Sequence, residues 1–314
     1  MTTVGSQSYR LAVILPCYNE EAAIADVVRD FRTALPQAEI YVYDNNSRDN
    51  TIDVARAAGA IVRRETRQGK GHVVRRMFAD VEADIYVLAD GDGTYDTASA
   101  PALIDKLIGE RLDMVVGSRL TTYEEEAFRP GHRFGNDLLT GCLALFFGRT
   151  FTDILSGYRV FSRRFVKSFP ALSAGFETEI ELSVHALELR MPIAEMHTPY
   201  KARPVGSASK LRTYRDGFRI LMMIFNLFKE ERPLAFFSII AGALALIGIV
   251  LAYPVFMTYI ETGLVPRFPT AILSTGLMIL ASLSLTCGFV LDTVTHGRRE
   301  MKRLAYLSIP PLES

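Results

Sequence analysis

The chain has 314 residues, which corresponds to about two domains at roughly 150 residues each. Its 35 Lys and Arg residues balance 35 Asp and Glu residues, and we expect no nucleic-acid partner because proteins that bind nucleic acids usually carry a basic excess. Three widely spaced cysteines exclude a disulfide scaffold and a cysteine zinc site, and they fit a reducing compartment.

Strands and helices alternate up to residue 120, after a polar stretch, residues 1–9, that we expect to be disordered. Short apolar runs predict strands at residues 11–15, 40–43, 61–62, 85–89 and 114–116. Helical spacing predicts helices between them, at residues 20–35, 51–58, 73–81 and 102–108. The alternation predicts an α/β fold, a Rossmann-like and mostly parallel sheet flanked by helices.

Ligands bind outside the carboxyl ends of the strands in such a sheet, and the segments at those ends are polar here. Asp90 and Asp92 follow the fourth strand on either side of Gly91. Two carboxylates repel a phosphate, but they can bind one through a divalent cation, which takes oxygen ligands from both partners. The pair therefore indicates a Mg²⁺ or Mn²⁺ site beside a diphosphate. The alternative is a turn in which the aspartates cap backbone groups.

Asp44 and Lys70 each allow two interpretations. Asp44 follows the second strand and is either a ligand contact or the acceptor in an Asx turn or helix cap. Lys70 lies between two glycines, in a flexible basic loop that either contacts a nucleotide phosphate or forms a solvated turn. The sequence alone does not decide between these roles.

Two apolar runs are long enough to cross a membrane. Residues 233–260 give 28 consecutive uncharged positions and residues 268–291 give 24, whereas about 20 helical residues span a bilayer core. The alternative is a pair of buried core helices. The outer flanks of the two runs are basic, with Lys229, Arg232, Arg298, Arg299, Lys302 and Arg303. The positive-inside rule therefore predicts a hairpin in the inner membrane with both ends in the cytoplasm.

Residues 212–232 mix basic with aromatic and aliphatic side chains, which predicts an amphipathic helix on the membrane surface, with a core-packed helix as the alternative. We accordingly expect residues 1–9 to be disordered and residues 10–211 to form the catalytic domain. Its halves are a nucleotide-binding part, 10–120, and an acceptor part, 121–211. The remaining divisions are an interface helix, 212–232, a transmembrane hairpin, 233–292, and a cytoplasmic tail, 293–314.

Several segments together resemble the inverting glycosyltransferase family 2 with the GT-A fold. In the first half these are Pro16-Cys17-Tyr18-Asn19-Glu20-Glu21, Asp44 with Ser47, Asp49 and Thr51, Gly69-Lys70-Gly71, and Asp90-Gly91-Asp92. The second half resembles the branch that uses polyprenyl phosphates, through Arg133-Phe134-Gly135-Asn136, Asp153-Ile154-Leu155-Ser156-Gly157-Tyr158-Arg159, Phe176-Glu177-Thr178-Glu179, and Arg203 with Ser209-Lys210-Leu211.

The resemblance implies roles for individual residues. The donor would contact Pro16, Tyr18, Glu20, Asp44, Asn46, Lys70, Asp90, Gly91 and Asp92. The acceptor phosphate would contact Arg119, Arg133, Arg203 and Lys210. The metal would be held by Asp90, by Asp92 as the main ligand, and by Thr94, which replaces the glutamine of many relatives. Asp92, Asp153 and Arg133 would be the catalytic residues.

The implied reaction moves a sugar from a nucleotide-diphosphate sugar to a polyprenyl (undecaprenyl) phosphate. A phosphate nucleophile is largely dianionic at pH 7 and needs positioning more than a base. Asp153 is therefore either a base or a residue that orients Arg133 or Arg159, or a helix cap. UDP-hexose is the expected donor and GDP-mannose the alternative. Another lipid or glycan acceptor is a further alternative, and we expect a homo-oligomer.

Other protein classes fit less well. A processive polysaccharide synthase would carry a Q-x-x-R-W element, and the chain contains no Trp. A nucleotidyltransferase would need neither the hairpin nor the arginines. An inactive membrane scaffold would not need the Asp90 and Asp92 pair.

Overall fold

A computed structural model of the chain describes residues 2–4, 7–120, 141, 151–171, 177–201, 222 and 225–312. The chain forms two compact units. The first consists of Met1–Phe218 and Lys302–Ser314, and the second of Arg219–Met301.

The first unit is built on a sheet whose described part has seven strands. Ahead of it, two short strands, β1 (Thr2–Val4) and β2 (Gln7–Tyr9), pair antiparallel within the region for which the sequence predicted disorder. The sheet itself contains β3 (Leu11–Cys17), β4 (Glu39–Asp44), β5 (Ile61–Arg64), β6 (Ile85–Leu88), β7 (Met114–Leu120), β8 (Arg159–Ser162) and β9 (Ile193–Pro199). Their order is β5-β4-β3-β6-β8-β7-β9. Every pairing is parallel except those of β8, which runs antiparallel to both neighbours.

Helices connect the strands. The described helices of this unit are α1 (Ile24–Ala34), α2 (Thr51–Ala57), α3 (Lys70–Asp80), α4 (Ala100–Gly109), α5 (Arg163–Ser168) and α6 (Thr178–Glu188). The apolar run of β3 is buried on both faces, as expected for a parallel sheet covered by helices. On α1, Ile24, Val27, Val28 and Phe31 are buried at the spacing of one helix face. The predicted α/β fold with a mostly parallel sheet is confirmed.

The end of the chain packs within the first unit. Tyr306 donates a hydrogen bond to Asp113 Oδ2 at 2.7 Å, and Arg164 lies over the Tyr306 ring, 4.7 Å from its centroid. Lys302 forms an ion pair with Glu188 at 2.6 Å. Because Asp113 is almost fully buried, these contacts make the C-terminal segment part of the core that supports β7.

The second unit contains two long helices, α7 (Pro233–Thr262) and α8 (Phe268–Leu307), although α8 ends inside the first unit. Both are long and apolar enough to cross a membrane, and only 11% of the most apolar window of each is buried. Core helices of a soluble protein would be mostly buried, so this exposure does not match the alternative of two buried core helices. Small residues make the contact between the helices, since Ala241, Gly248, Ser274, Ala281, Gly288 and Thr295 are buried at intervals of seven.

The amphipathic helix expected over residues 212–232 lies largely outside the described residues. Of that stretch, Met222 and residues 225–231 are helical. The sequence predicted that the second membrane span would end with the apolar run of residues 268–291. The helix α8 continues beyond that run to Leu307. The polar residues that follow contain no proline, and a single glycine does not interrupt a helix.

Candidate active site

The loops that follow β3 and β4 are hydrogen bonded to each other at the carboxyl edge of the sheet. The backbone N–H of Asn19 donates to Ser47 Oγ, and that of Glu20 donates to Thr51 Oγ1, both at 2.9 Å. Pro16 lies in β3, and Tyr18 follows in the loop. The structure therefore brings these predicted donor-binding residues beside Asp44, whose strand runs parallel to β3.

Asp44 itself is fully buried. Both carboxylate oxygens accept a hydrogen bond from the backbone N–H of Ser47, at 3.2 and 3.3 Å, and Arg64 Nε lies 3.7 Å from Oδ2. This geometry corresponds to the turn-forming role, which was the alternative interpretation of Asp44. Its carboxylate fixes the loop that carries Asn45 and Asn46.

Asn45 holds the loop that precedes α3, a role that the sequence did not indicate. Its Nδ2 donates to the carbonyl oxygens of Glu65 at 3.0 Å and Arg67 at 2.7 Å. Its Oδ1 accepts from the Gly69 N–H at 2.7 Å and from Gln68 Nε2 at 3.3 Å. Nearby, Asn46 Nδ2 donates to the Thr66 carbonyl at 2.8 Å. The loop of residues 65–69, which leads into Lys70, is thus held by amide side chains.

The loop after β6 carries the two aspartates in a tightly packed conformation. A Cβ on Gly91 would lie 2.3 Å from Cys17 Sγ, so only glycine fits there. Thr94 donates from its hydroxyl to Asp92 Oδ1 at 2.6 Å and from its N–H at 3.2 Å. Because Asp92 and Thr94 are 4% and 1% exposed, the hydroxyl, expected to be a metal ligand, supports the carboxylate in this structure.

Lys70, the first residue of α3, lies between two carboxylates. Its Nζ is 2.5 Å from Asp90 Oδ1 and 2.5 Å from Glu179 Oε1. Burial by itself would lower the pKa of Lys70, but the charges of Asp90 and Glu179 outweigh it and raise that pKa above its ordinary value. The lysine is therefore a fixed cation. Glu179 was part of a motif in the sequence, but no role was expected for it.

Arg119, at the end of β7, is oriented by Asp153. Its Nε and Nη2 donate to the two carboxylate oxygens at 2.7 and 2.8 Å, and its guanidinium lies 5.5 Å from the centroid of the Tyr200 ring. Burial would lower the pKa of Arg119, but the hydrogen bonds to Asp153 raise it above the ordinary value. Asp153 was expected to orient Arg133 or Arg159 if it was not a base. Its partner is Arg119, because β7 and residues 151–158 meet at this edge.

Arg159 has a structural role. It is fully buried, and it donates to the carbonyls of Ser156 at 2.9 Å and Ile154 at 2.6 Å and to Ser183 Oγ at 3.0 Å. Burial lowers its pKa to about 10, so it still carries its charge at neutral pH. Three other predicted residues, Arg133, Arg203 and Lys210, lie outside the described residues.

Asp90 and Asp92 could bind a divalent cation whose remaining ligands come from the substrate. Asp90 and Asp92 offer only oxygen donors, the ligand type that Mg²⁺ and Mn²⁺ prefer. Within the part of the chain that the structure describes, no three His, Cys, Asp or Glu side chains are grouped as metal ligands. If a divalent ion binds to Asp90 and Asp92, phosphate oxygens and water would supply its other ligands, as is typical of Mg²⁺ bound together with a phosphate substrate.

The comparisons with known proteins agree with this geometry. A family model described as glycosyl transferase family 2 matches residues 12–169. The glycosyltransferase AglJ of Haloferax volcanii is 32% identical over 299 residues, 95% of this chain and 98% of that protein. A dolichyl-phosphate hexose transferase of the same organism is 30% identical over 223 residues, 71% of this chain and 95% of that protein.

A solved structure resembles a large part of this chain. It is glucosyl-3-phosphoglycerate synthase from Mycobacterium tuberculosis in complex with Mn²⁺, uridine diphosphate and phosphoglyceric acid. The TM-score is 0.56 at 25% identity, and the match covers 69% of this chain and 78% of that chain. The likeness confirms the GT-A architecture expected for the sheet and its helices.

Proposed function

We propose a specific reaction for this chain, which belongs to glycosyl transferase family 2: transfer of a hexose from UDP-hexose to a polyprenyl phosphate, with inversion, at the cytoplasmic face of the inner membrane. The observation that carries the proposal is the combination of two features in one chain. The strand-end aspartates suit a metal-bound diphosphate, and two exposed apolar helices suit a lipid substrate.

The donor half of the proposal rests on the loop after β6. Asp92, held by Thr94, is the carboxylate best placed for a Mg²⁺ or Mn²⁺ ion, with Asp90 beside it. When bound, the ion would neutralise charge on the departing nucleoside diphosphate. The similar synthase was solved with Mn²⁺ and uridine diphosphate, which supports UDP as the nucleotide. The nucleoside would lie against the Asp44 loop and residues 65–69.

The acceptor half rests on Arg119 and on the relative named for dolichyl-phosphate hexose transfer. Arg119 would bind a phosphate oxygen while Asp153 keeps its guanidinium oriented. A phosphate dianion attacks the anomeric carbon without losing a proton, so the site requires no general base. Arg133, Arg203 and Lys210 are proposed to complete the acceptor site.

Transfer assays test the proposal directly. The purified full chain in detergent should move radiolabelled hexose from a UDP-hexose, chosen from a panel of nucleotide sugars, to undecaprenyl phosphate. Chelator should abolish the transfer and Mg²⁺ or Mn²⁺ should restore it, whereas Asp92→Asn should stay inactive with either ion. Full activity in excess chelator, or transfer only to acceptors without a phosphate, would refute the proposal.

Asp153→Asn separates the two roles of Asp153. If it orients Arg119, the variant should raise KM for polyprenyl phosphate about tenfold with a smaller change in kcat, because one of two hydrogen bonds to the guanidinium is lost. A loss of kcat of about a thousandfold at unchanged KM would identify it as the base.

Cysteine labelling tests the topology. In a background without the native cysteines, Leu264→Cys, at the exposed tip between α7 and α8, should react with an impermeant thiol reagent added to intact cells. Ser308→Cys, which follows α8, should react only after the cells are opened. The opposite pattern would overturn the cytoplasmic placement.

A further inference from the structure

Three charged side chains form a row that leads from the metal end of the candidate site into the protein interior. Asp90 Oδ1, Lys70 Nζ and Glu179 Oε1 are joined by two contacts of 2.5 Å. Side-chain exposure falls from 31% at Asp90 to 11% at Lys70 and 8% at Glu179. Asp90 therefore faces the site, whereas Glu179 reaches it only through the lysine.

Glu179 is not explained by the contacts of the proposed reaction. Its second oxygen, Oε2, is buried and has no hydrogen-bond partner among the residues that the structure describes. Burying a carboxylate with an unsatisfied oxygen is unfavourable, and a neutral side chain of similar size would be easier to accommodate. A neutral residue would therefore fit better here, and the feature of Glu179 that needs an explanation is its negative charge.

The charge balance of the row shows what that charge does. Within the group formed by this row and Asp92, Lys70 alone would neutralise Asp90 and leave one net negative charge. With Glu179 present, the three carboxylates and one ammonium of this group leave two negative charges, while the buried Arg159, whose charge Glu179 also stabilises, lies outside the group. The attraction between the site and the ion therefore depends on a residue that does not touch it.

The surroundings keep this arrangement in place. A Cβ on Gly157 would lie 2.9 Å from Asp90 Oδ2 and 3.2 Å from both Lys70 Nζ and Tyr95 Oη. The Gly157 N–H also donates to Tyr95 Oη at 2.8 Å. The Gly157 backbone therefore encloses the row on this side and leaves no room there for a larger residue.

We propose that Lys70 and Glu179 are positioning residues that set the charge and orientation of the Asp90 carboxylate, and thereby the affinity of the site for a divalent cation. The inference rests on the proposed function, since it concerns the metal of that same site. It predicts changes of opposite sign in the two single variants. Removing the negative charge of Glu179 should weaken cation binding, and removing the positive charge of Lys70 should strengthen it.

Binding of Mn²⁺ to the full chain in detergent, without nucleotide, measures this by electron paramagnetic resonance. Glu179→Gln should raise the Kd on the order of tenfold, the effect of one charge near a divalent ion at a partly buried site. Lys70→Met should lower the Kd, and the double variant should return to within about threefold of wild type. Glu179→Asp, which keeps the charge, should stay close to wild type and provides a second test if another variant folds poorly.

Glu188→Gln is the matched control. Glu188 is also buried on α6 and is also paired with a lysine, Lys302, but it belongs to the opposite end of the helix. It should lower the melting temperature without changing the Kd for Mn²⁺. If Glu179→Gln behaves in the same way, or if both single variants shift the Kd in the same direction, the inference is wrong.

The binding assay requires no acceptor and no turnover, so its result is independent of the transfer assay. Wild-type protein that transfers hexose to undecaprenyl phosphate while Glu179→Gln leaves Mn²⁺ binding unchanged would overturn this inference and keep the proposed function. The opposite combination is also informative. If the Kd values for Mn²⁺ follow the predicted pattern but the protein does not transfer hexose to polyprenyl phosphate, the inference is supported and the acceptor assignment is wrong.

Discussion

Asn45→Asp should weaken nucleotide binding, although it only replaces the side-chain amide with a carboxylate. Asn45 is 4% exposed and uses its amide to hold the loop of residues 65–69. An ionised aspartate cannot donate, so the hydrogen bonds to the carbonyl oxygens of Glu65 and Arg67, at 3.0 and 2.7 Å, are lost. The substitution also places a negative oxygen against those carbonyls. Each lost bond costs about 1 kcal/mol, and an unsatisfied buried acceptor costs about 1–3 kcal/mol.

The combined penalty is therefore about 3 kcal/mol, which corresponds to roughly a 150-fold change in an equilibrium constant. The loop ends at Gly69, directly before α3, so the substitution should mainly shift the loop and leave the rest of the fold in place. We expect the Kd for uridine diphosphate, measured by calorimetry with Mn²⁺ present, to rise about 30-fold or more. The melting temperature should change by only a few degrees.

Asn50→Asp is the control, because Asn50 is exposed and its side chain caps nothing at the start of α2. Its Kd should stay within about threefold of wild type. A lower pH should partly restore Asn45→Asp, since a protonated carboxyl can donate one of the two missing bonds. If Asn45→Asp binds uridine diphosphate as tightly as wild type, the loop does not contribute to the donor site and this reasoning fails.

Three further outcomes are expected. Gly157→Ala should reduce transfer at least tenfold without unfolding the protein, since its Cβ would lie 2.9 Å from Asp90 Oδ2; turnover and melting temperature measured together check this. Burial, followed by the nearby charge of Lys302, lowers the pKa of His185 to about 3. Stability should therefore fall as pH drops from about 6.5 towards 3, by about 2 kcal/mol at pH 5, and less in His185→Gln. Tyr306→Phe should lower the melting temperature by a few degrees at unchanged kcat, because it removes the bond to Asp113.

The parts of the fold that follow from local sequence patterns could be predicted. The strands from β3 to β7 each have an apolar run, and the helices between them have helical spacing, so both were found. The place of β8 was not predictable in the same way. Its four residues begin with a buried arginine, and it lies between β6 and β7 although it follows both in the chain. Only tertiary packing establishes that order.

The site shows the same division. The position of Asp90 and Asp92 followed from the rule that parallel strands end at one edge. The contacts of Asn45 could not be predicted in this way. Its amide binds backbone carbonyls, which every residue has, so no residue type in the sequence marks its partners. The pairing of Lys70 with Glu179 joins two helices that are distant in the chain, and no spacing within either helix indicates it. The pairing of Asp153 with Arg119 likewise depends on tertiary packing, because it joins the end of β7 to a distant loop.

The paired charges of the described site would let it hold the two anionic substrates of the proposed reaction without binding either one too tightly. Lys70 is shared between Asp90 and Glu179, and Arg119 is held by both oxygens of Asp153. Each cation is thus oriented before a phosphate arrives, which reduces the entropy lost on binding. A phosphate oxygen must compete with a carboxylate for each of them, so part of the interaction energy is offset. That balance suits the proposed reaction, in which a nucleoside diphosphate and a charged lipid product would be released after every transfer.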